Sequence, residues 1–152
     1  MVGGMDWFDA LCHTFGTMAT GGFSTKNLSV GHYQNEFIIW VIIIFMFLAG
    51  VNFLLHYNAL RGNFRVFKID REFRFYAGVI VVAVILSTVL LYVEDLPSVD
   101  YSRTHFRHDP IPYEDFAAHV HAQEEKVNTI YGSFRESAFQ VVAVTTTTGF
   151  GT

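Results

Sequence analysis

Two long segments without an Asp, Glu, Lys or Arg side chain constrain the fold more than any other feature of the sequence. They are residues 37–60, 24 in number, and residues 75–93, 19 in number. As α-helices they would extend for about 36 Å and about 28 Å, close to the roughly 30 Å hydrocarbon core of a bilayer. Both contain β-branched stretches, but single β-strands of this length are not expected. The two segments therefore predict transmembrane helices rather than buried strands.

The composition supports a membrane protein and argues against several other classes. Charged residues make up only 16% of the chain and hydrophobic residues 51%, whereas a soluble domain is typically about 25% charged. The net charge of −4 is too small to indicate a nucleic-acid partner. The single cysteine, Cys12, cannot form a disulfide within the chain.

The distribution of charge predicts how the two segments are oriented. Residues 61–74, which join them, carry five basic and two acidic side chains, and residues 94–136 carry nine acidic and four basic ones. Short basic loops between spans lie on the cytoplasmic side. We therefore expect residues 61–74 to be cytoplasmic and residues 94–132 to form an external, periplasmic loop.

The predicted external loop contains histidines at spacings that a metal ion can use. All three prolines lie in this loop, and a short helix is expected over residues 113–127. The spacings are His-x-x-His and His-x-His, but no cysteine or ordered scaffold accompanies them. The sequence therefore predicts solvent-exposed side chains and no metal site here. The four histidines are His105, His108, His119 and His121.

An internal repeat is found when the chain is shifted by 127 positions. Residues 17–25, TMATGGFST, then align with residues 144–152, VTTTTGFGT, and four positions are identical. In each copy an acidic residue, Asp9 or Glu136, precedes about ten mostly apolar residues. A helix of about 18 Å is too short to cross a bilayer. Non-helical backbone at membrane depth must be buried in protein or line a water-filled cavity, so each copy predicts a re-entrant helix followed by an extended pore loop.

A strand rich in threonine and glycine at that depth is suited to binding a small cation. Its backbone carbonyl oxygens can replace the hydration shell of the ion, and glycine reaches the backbone angles that let successive carbonyls face one way. Threonine adds an uncharged hydroxyl acceptor, and the C-terminal end of the preceding helix carries a partial negative charge that favours cations. One copy alone is also compatible with an ordinary turn. Two copies, separated by two predicted spans, favour a pore.

The second copy, Thr-Thr-Gly-Phe-Gly at residues 147–151, is similar to the Thr-Val-Gly-Tyr-Gly filter of potassium channels, and residues 20–24 form a degenerate counterpart. Two non-identical filters in one chain, with the runs DALCHTFGTMATGGFSTKN and AGVNFLLHY, resemble the Trk/Ktr/HKT superfamily of potassium transporters. The resemblance implies an all-α membrane protein of helix–pore-loop–helix repeats, four in a subunit, of which this chain partly covers the second and third. The implied segments are a pore helix and filter loop (1–35), a transmembrane helix (36–60), a cytoplasmic loop (61–74), a transmembrane helix (75–93), an external loop (94–132), and a pore helix with filter strand (133–152).

The same resemblance implies potassium uptake across the bacterial inner membrane by a multi-pass protein that is not an enzyme and has no cofactor. K⁺ is then the transported ion and the one bound metal, with Rb⁺ as its surrogate, and symport and channel-like flux both stay open. The implied partners are membrane lipid, a second copy in a homodimer, and a cytoplasmic nucleotide-binding regulatory subunit of the TrkA type, which residues 61–74 are on the correct side to meet. The implied filter residues, acting mostly through backbone carbonyls, are Thr20, Gly21, Gly22, Phe23, Thr147, Thr148, Gly149 and Phe150.

Differences between the copies leave alternatives open. Thr148 stands where the first copy has Gly21, and Ser24 where the second has Gly151, which predicts looser and less symmetric coordination than in a fourfold channel. A less selective K⁺/Na⁺ channel module and a membrane scaffold are therefore the alternatives. A membrane enzyme is disfavoured, because no histidine has a nucleophile and an orienting group at a catalytic spacing.

Two polar residues in the first apolar segment also carry predictions. Asn52 is costly in hydrocarbon unless it faces a water-filled vestibule or forms a hydrogen bond between helices, and we favour the second. His56, near the predicted cytoplasmic end, is expected to lie at the membrane interface. Because the chain stops within the second filter motif, we expect it to be a fragment of a longer protein.

Overall fold

The computed structural model describes residues 3–26, 28–33, 35–93 and 129–151. Every regular element among these residues is helical, which confirms the all-α class. The predicted helix over residues 113–127 and the four loop histidines lie outside the described residues. The elements in chain order are α1 (Trp7–Met18), a 3₁₀-helix (Ser29–His32), α2 (Glu36–Ala49), α3 (Phe53–Leu60), α4 (Arg65–Ile69), α5 (Arg71–Val93) and α6 (Ile130–Thr145).

Helix α5 is the one helix in the described part of the chain that is long and apolar enough to cross a membrane by itself. Its 23 residues extend for about 35 Å. It begins four residues before the predicted segment, because the Asp70 carboxylate accepts a hydrogen bond from the Phe73 N–H (2.7 Å) and caps the helix there. Its buried side chains are Ile80 and Val84, so most of its apolar surface faces outward.

The continuous helix predicted over residues 36–60 is corrected by the structure. Helices α2 and α3 meet at an angle of 105° across a break at residues 50–52. The Asn52 side chain accepts a hydrogen bond from the Leu54 N–H (3.0 Å), which starts a new helix, and its amide donates to Glu72 of α5 (3.3 Å). Asn52 therefore forms the interhelical hydrogen bond favoured above. Hydropathy does not register such a cap, and the segment is long enough for a span only if the bent pair counts as one.

Gly50 permits a close approach at this break. A methyl group in its place would overlap the Tyr76 hydroxyl and would lie 3.0 Å from the Thr146 side chain. The Tyr76 hydroxyl also donates a hydrogen bond to the Phe47 carbonyl oxygen (3.2 Å). The end of α2 is therefore packed against both α5 and the residue that follows α6.

Helix α6 lies at the centre of the structure and packs against both α2 and α5, while α1 packs against α2. Its 16 residues, about 24 Å long, fall short of a bilayer crossing. It begins three residues before the predicted start at residue 133, and Phe139 and Val142 are almost completely buried. The other members of this apolar core are Met5, Val30, Ile38, Ile39, Ile42, Ile43, Met46, Ile80, Val84, Ala138, Ala143 and Phe150.

Helices α2 and α6 run parallel, because they meet at both ends. Near their N-terminal ends Arg135, only 4% exposed, pairs with Glu36 (3.4 Å) and with Glu136 (2.7 Å). At their C-terminal ends Gly50 lies against Thr146. The two carboxylates compensate the buried guanidinium, which would otherwise be costly.

Candidate ion site at two threonine–glycine loops

The first loop (residues 19–26) leaves the end of α1 by a Schellman turn. The N–H of Thr20 donates to the Thr17 carbonyl oxygen (3.1 Å), and the N–H of Gly21 donates to the Gly16 carbonyl oxygen (2.8 Å). This turn has a left-handed residue, usually glycine, at the position of Thr20, and the φ of Thr20 is 50°. The sequence therefore places threonine where the turn favours glycine.

The second loop (residues 146–151) leaves the end of α6 with the same geometry. Thr147 has a φ of 59° and donates its N–H to the Val144 carbonyl oxygen (3.0 Å). The N–H of Gly149 donates to the Ala143 carbonyl oxygen (3.1 Å), and the residues 127 positions earlier are joined by the same bond (3.3 Å). The repeat in the sequence is thus also a repeat in backbone conformation.

The sign of φ alternates over three residues in both loops. Thr20 and Gly22 have positive φ values (50° and 64°), as do Thr147 and Gly149 (59° and 75°), while the residues between them do not. This alternation turns successive peptide planes the same way, so that neighbouring carbonyl oxygens can share one side of the strand. Glycine reaches these angles freely, whereas a left-handed threonine costs about 1–2 kcal/mol.

Backbone strain in the described residues is concentrated at this site. Three residues other than glycine have positive φ there, namely Thr20, Ser29 and Thr147. Two of them occupy equivalent positions in the loops, and the hydroxyl of the third contacts the second loop at Gly151 (3.2 Å). Strain that persists in a folded protein clusters at functional sites, where contacts with the surrounding structure hold the strained conformation in place. The two loops are therefore the candidate site.

The two loops touch at Gly22 and Thr148. A methyl group on Gly22 would overlap the Thr148 carbonyl oxygen and would lie 3.2 Å from the carbonyl carbon of Gly149. The Thr148 side chain is buried, and its hydroxyl hydrogen-bonds to the hydroxyl of Thr146 (2.8 Å). Glycine at position 22 therefore serves both the left-handed turn and the close approach of the second loop.

The end of the first loop returns to the first turn of α1. Asp9 accepts hydrogen bonds there from the hydroxyls of Thr25 (2.7 Å) and Tyr33 (2.5 Å), and it pairs with the Lys26 ammonium (3.1 Å). The hydrogen bond from Thr25, followed by those from Tyr33 and Lys26, holds the pKa of Asp9 well below its usual range. Burial, together with the hydrogen bond to Asp9, raises the pKa of Tyr33 to about 12. Helix and loop thus form a closed hairpin.

The far end of the second loop is held by the 3₁₀-helix. The Gly151 carbonyl oxygen accepts hydrogen bonds from the N–H groups of Val30 (3.1 Å) and Gly31 (3.3 Å), and the Gly151 N–H donates to the Ser29 hydroxyl (3.2 Å). This short helix directly precedes α2, whose first turn pairs through Glu36 with Arg135 in the N-terminal half of α6. The far end of the second loop therefore lies toward the N-terminal end of α6, as the end of the first loop lies at the N-terminal end of α1.

The predicted filter residues lie in two adjacent loops, but the copies are not equivalent. The Phe150 side chain is 2% exposed, whereas that of Phe23 is 83% exposed. The Phe150 ring stacks on the ring of His13 in α1, with centroids 5.8 Å apart. The second copy is therefore packed against the helix of the first, while Phe23 has no such cover within the described residues.

No sequence motif predicts a place at the site for Asp9, His13 or Tyr33, although all three lie at the first loop or at its anchor. The available signal was an acid and a histidine four residues apart in an otherwise mostly apolar helix. Such a pair lies on one face of the helix. Both side chains are buried, so each needs a polar partner, and the loop supplies it.

The atoms that the site offers as ligands for an ion are neutral oxygens. Within the described ranges, no group of three or more His, Cys, Asp or Glu side chains is placed to hold a metal ion. The loops offer backbone carbonyls and the hydroxyls of threonine and of Ser24 as oxygen atoms. Rings of carbonyl oxygens are the ligands of alkali-metal ions in selectivity filters.

Comparison with known proteins identifies relatives of the chain. A family model described as "TrkH: Cation transport protein" matches residues 2–152. The Trk system potassium uptake protein TrkH of Escherichia coli K12 is 40% identical over 96 residues, which are 62% of this chain and 20% of that protein. TrkH of Halomonas elongata is 30% identical over 151 residues, 99% of this chain and 25% of that protein. TrkH of Vibrio parahaemolyticus is 27% identical over 152 residues, again covering 25% of that protein. The chain thus spans about a fifth to a quarter of these relatives, and no solved structure matches it significantly.

Proposed function

The chain belongs to the TrkH family of cation transport proteins, and from this premise we propose that it contributes two strands of a K⁺-selectivity filter to potassium uptake across the bacterial inner membrane. The observation that carries the proposal is the alternation of φ signs at residues 20–22 and 147–149, in two loops that touch. The relatives are named as potassium uptake proteins, which supports K⁺ as the ion. Membership of a transport family favours transport over enzymatic activity.

In the proposed filter the ion exchanges its water shell for protein oxygen atoms. Backbone carbonyls of residues 20–23 and 147–150 supply most of them, and the hydroxyls of Thr20 and Thr147 add acceptors at the end nearest the helices. The C-terminal ends of α1 and α6 contribute partial negative charge toward the same region. Two loops form only part of a ring of ligands, and we assign the remainder to the rest of the transporter.

The proposed topology makes α1 and α6 re-entrant pore helices and α5 a transmembrane helix. The basic charge of residues 61–74 supports a cytoplasmic location for them, and the acidic charge of residues 94–132 a periplasmic one. At the cytoplasmic end of the bent pair α2–α3, the Arg61 guanidinium lies over the Tyr57 ring (4.4 Å to its centroid). Assembly as a homodimer, binding of a TrkA-type regulatory subunit, and symport or channel-like flux belong to the proposal through the family resemblance alone.

A less selective K⁺/Na⁺ pathway is the second candidate function. The observation that favours it is the unequal burial of Phe23 and Phe150, because a loosely held strand can adjust its carbonyls to ions of different size. The two candidates share the same residues and differ only in the degree of discrimination between ions.

The test compares two glycine substitutions in the full-length protein. Gly149 and Gly62 both have positive φ values (75° and 84°), and an added methyl group meets nothing within 4 Å at either. Gly149→Ser should reduce the discrimination of K⁺ over Na⁺, measured as Na⁺ competition with Rb⁺ uptake in liposomes. Gly62→Ser, the matched control between α3 and α4, should not change it.

Each outcome of this test separates the candidates. Equal discrimination in Gly149→Ser and Gly62→Ser contradicts a filter at the second loop. Weak discrimination already in the unmodified protein selects the K⁺/Na⁺ pathway. Folded, purified protein that gives no Rb⁺ uptake at all supports the membrane scaffold.

A further inference from the structure

His13 is buried between the two loops and contacts both of them. Its side chain is 2% exposed. The Nε2 atom lies 2.9 Å from the Ser24 hydroxyl in the first loop, and the Nδ1 atom lies 2.7 Å from the Asp9 carbonyl oxygen. The ring stacks on that of Phe150 in the second loop at an interplanar angle of 25°. His13 is therefore a side chain of the first copy's helix that contacts both loops.

The hydrogen bonds of His13 join its ring to its own helix and to the first loop. A carbonyl oxygen can only accept, so Nδ1 carries the proton in the bond to Asp9. Nε2 pairs with the Ser24 hydroxyl, whose oxygen also accepts the N–H of Lys26 (3.1 Å). Both ring nitrogens and the serine hydroxyl therefore have partners in this arrangement.

Phe150 couples the same ring to the second loop. Its side chain is 2% exposed and lies between His13 and the backbone of Gly16, where an added methyl group would lie 3.3 Å from the Phe150 ring. Phe150 is flanked by Gly149 and Gly151, so its position helps to set the direction of the carbonyls on either side. Movement of the His13 ring would therefore displace residues of both loops.

We propose that His13 is a positioning residue that couples the two loops and so sets the ion discrimination of the filter. The inference rests on the proposed function, because it assigns a role in selectivity to a residue that does not itself face the ion. The position 127 residues later is Gln140, so the aromatic ring is present in one copy only. The coupling is therefore asymmetric and runs from α1 to the second loop.

Two substitutions distinguish the effect of the His13 hydrogen bonds from the effect of its aromatic ring. His13→Phe keeps an aromatic ring against Phe150 but leaves the Ser24 hydroxyl without its partner on the ring. His13→Gln keeps a hydrogen-bonding group but removes the ring. Ser24→Ala removes the same hydrogen bond from the other side. If the bond sets the carbonyls, His13→Phe, Ser24→Ala and the double variant should all reduce discrimination by a similar factor, roughly fivefold for one hydrogen bond.

The experiment uses the full-length protein purified into liposomes, with Rb⁺ uptake measured at increasing Na⁺. Apparent affinities for both ions and the maximal rate are recorded separately for each variant. Thr14→Val is the matched control, because Thr14 is the next residue of α1 and is exposed. Its hydroxyl hydrogen-bonds, among the described residues, only to the Ala10 carbonyl oxygen of its own helix (2.7 Å). We expect the ratio of affinities to fall in the His13 and Ser24 variants and to stay unchanged in Thr14→Val.

A different pattern overturns the inference. Variants that lower only the maximal rate, at an unchanged ratio of affinities, would make His13 a packing residue, and so would effects that add in the double variant. Gly149→Ser is measured beside them as the reference. If it relaxes discrimination and His13→Phe does not, the coupling is wrong and the filter stands; if Gly149→Ser also has no effect, the proposed function itself fails.

Discussion

The two loops share a backbone conformation but are held in place by different neighbours. The first loop is tied to its own helix, because Asp9 of α1 binds Thr25 and Lys26. The second loop is held by the other copy: Gly151 bonds to the 3₁₀-helix, and Phe150 packs against α1. Threonine and glycine thus specify the shape of each loop locally, whereas its position depends on tertiary contacts that the motif does not contain.

The two helices that precede the loops also differ in how deeply they are buried. Helix α6 lies in the centre of the core, and many of its residues are buried. Helix α1 is buried along one face, which carries Asp9, His13 and Thr17. Its large apolar side chains are exposed, namely Trp7, Phe8, Leu11, Phe15 and Met18. We therefore expect the second loop to be the more rigid of the two and the first the more sensitive to its few polar anchors.

The largest effect on Rb⁺ uptake is expected when a side chain is added where the two loops touch. Gly22→Ala places a methyl group against the Thr148 carbonyl oxygen and strains a left-handed residue, whereas Gly149→Ala adds the strain alone. Gly22→Ala should abolish Rb⁺ uptake, and Gly149→Ala should retain part of it, when both are measured at equal amounts of protein in the membrane. Equal losses would show that the loops are apart in the working transporter.

The next largest effect should distinguish the two phenylalanines. Phe150→Ala empties a buried site and should lower the free energy of unfolding by about 3–5 kcal/mol, whereas Phe23→Ala at an exposed position should change it by less than about 0.5 kcal/mol. Chemical unfolding of both variants of the full-length protein in the same detergent measures the difference. A large loss from Phe23→Ala would instead show that a segment of the full-length protein covers this side chain.

A smaller effect is expected at the anchor of the first loop. The pKa of Asp9 is lowered in the folded state, so its stabilisation is complete above the unfolded pKa of about 4 and is lost as the pH falls through the folded pKa. Asp9→Asn should therefore lower the thermal midpoint by the same amount at every pH between about 5 and 8. The control is Asp6→Asn, because Asp6 makes no capping hydrogen bond in α1. A loss that varies across this range would mean that another group titrates with Asp9.

Some of these structural features can be predicted from the sequence and others cannot. Helix α5 was predictable from hydropathy, and the two loops from the spacing of threonine and glycine, because both features are local. The break between α2 and α3 was not, since it depends on the cap at Asn52 and on the contact of Gly50 with Tyr76. The meeting of Gly22 with Thr148, like the stacking of His13 on Phe150, joins residues more than a hundred positions apart, and no periodicity in the sequence encodes such a pairing.

Glycine in place of the strained threonine of each loop should change stability only slightly, and it is the sharpest test of why both loops carry that threonine. Thr20→Gly and Thr147→Gly each relieve a left-handed conformation worth about 1–2 kcal/mol but make the unfolded chain more flexible by about 0.5–1 kcal/mol. The free energy of unfolding should therefore rise by no more than about 1.5 kcal/mol in either variant. If the hydroxyls bind the ion, half-maximal uptake should nevertheless require more Rb⁺, and more so at position 147 if the better-anchored second loop holds its hydroxyl more firmly. Unchanged uptake in both variants would leave the backbone carbonyls as the ligands and the threonines without a role in binding.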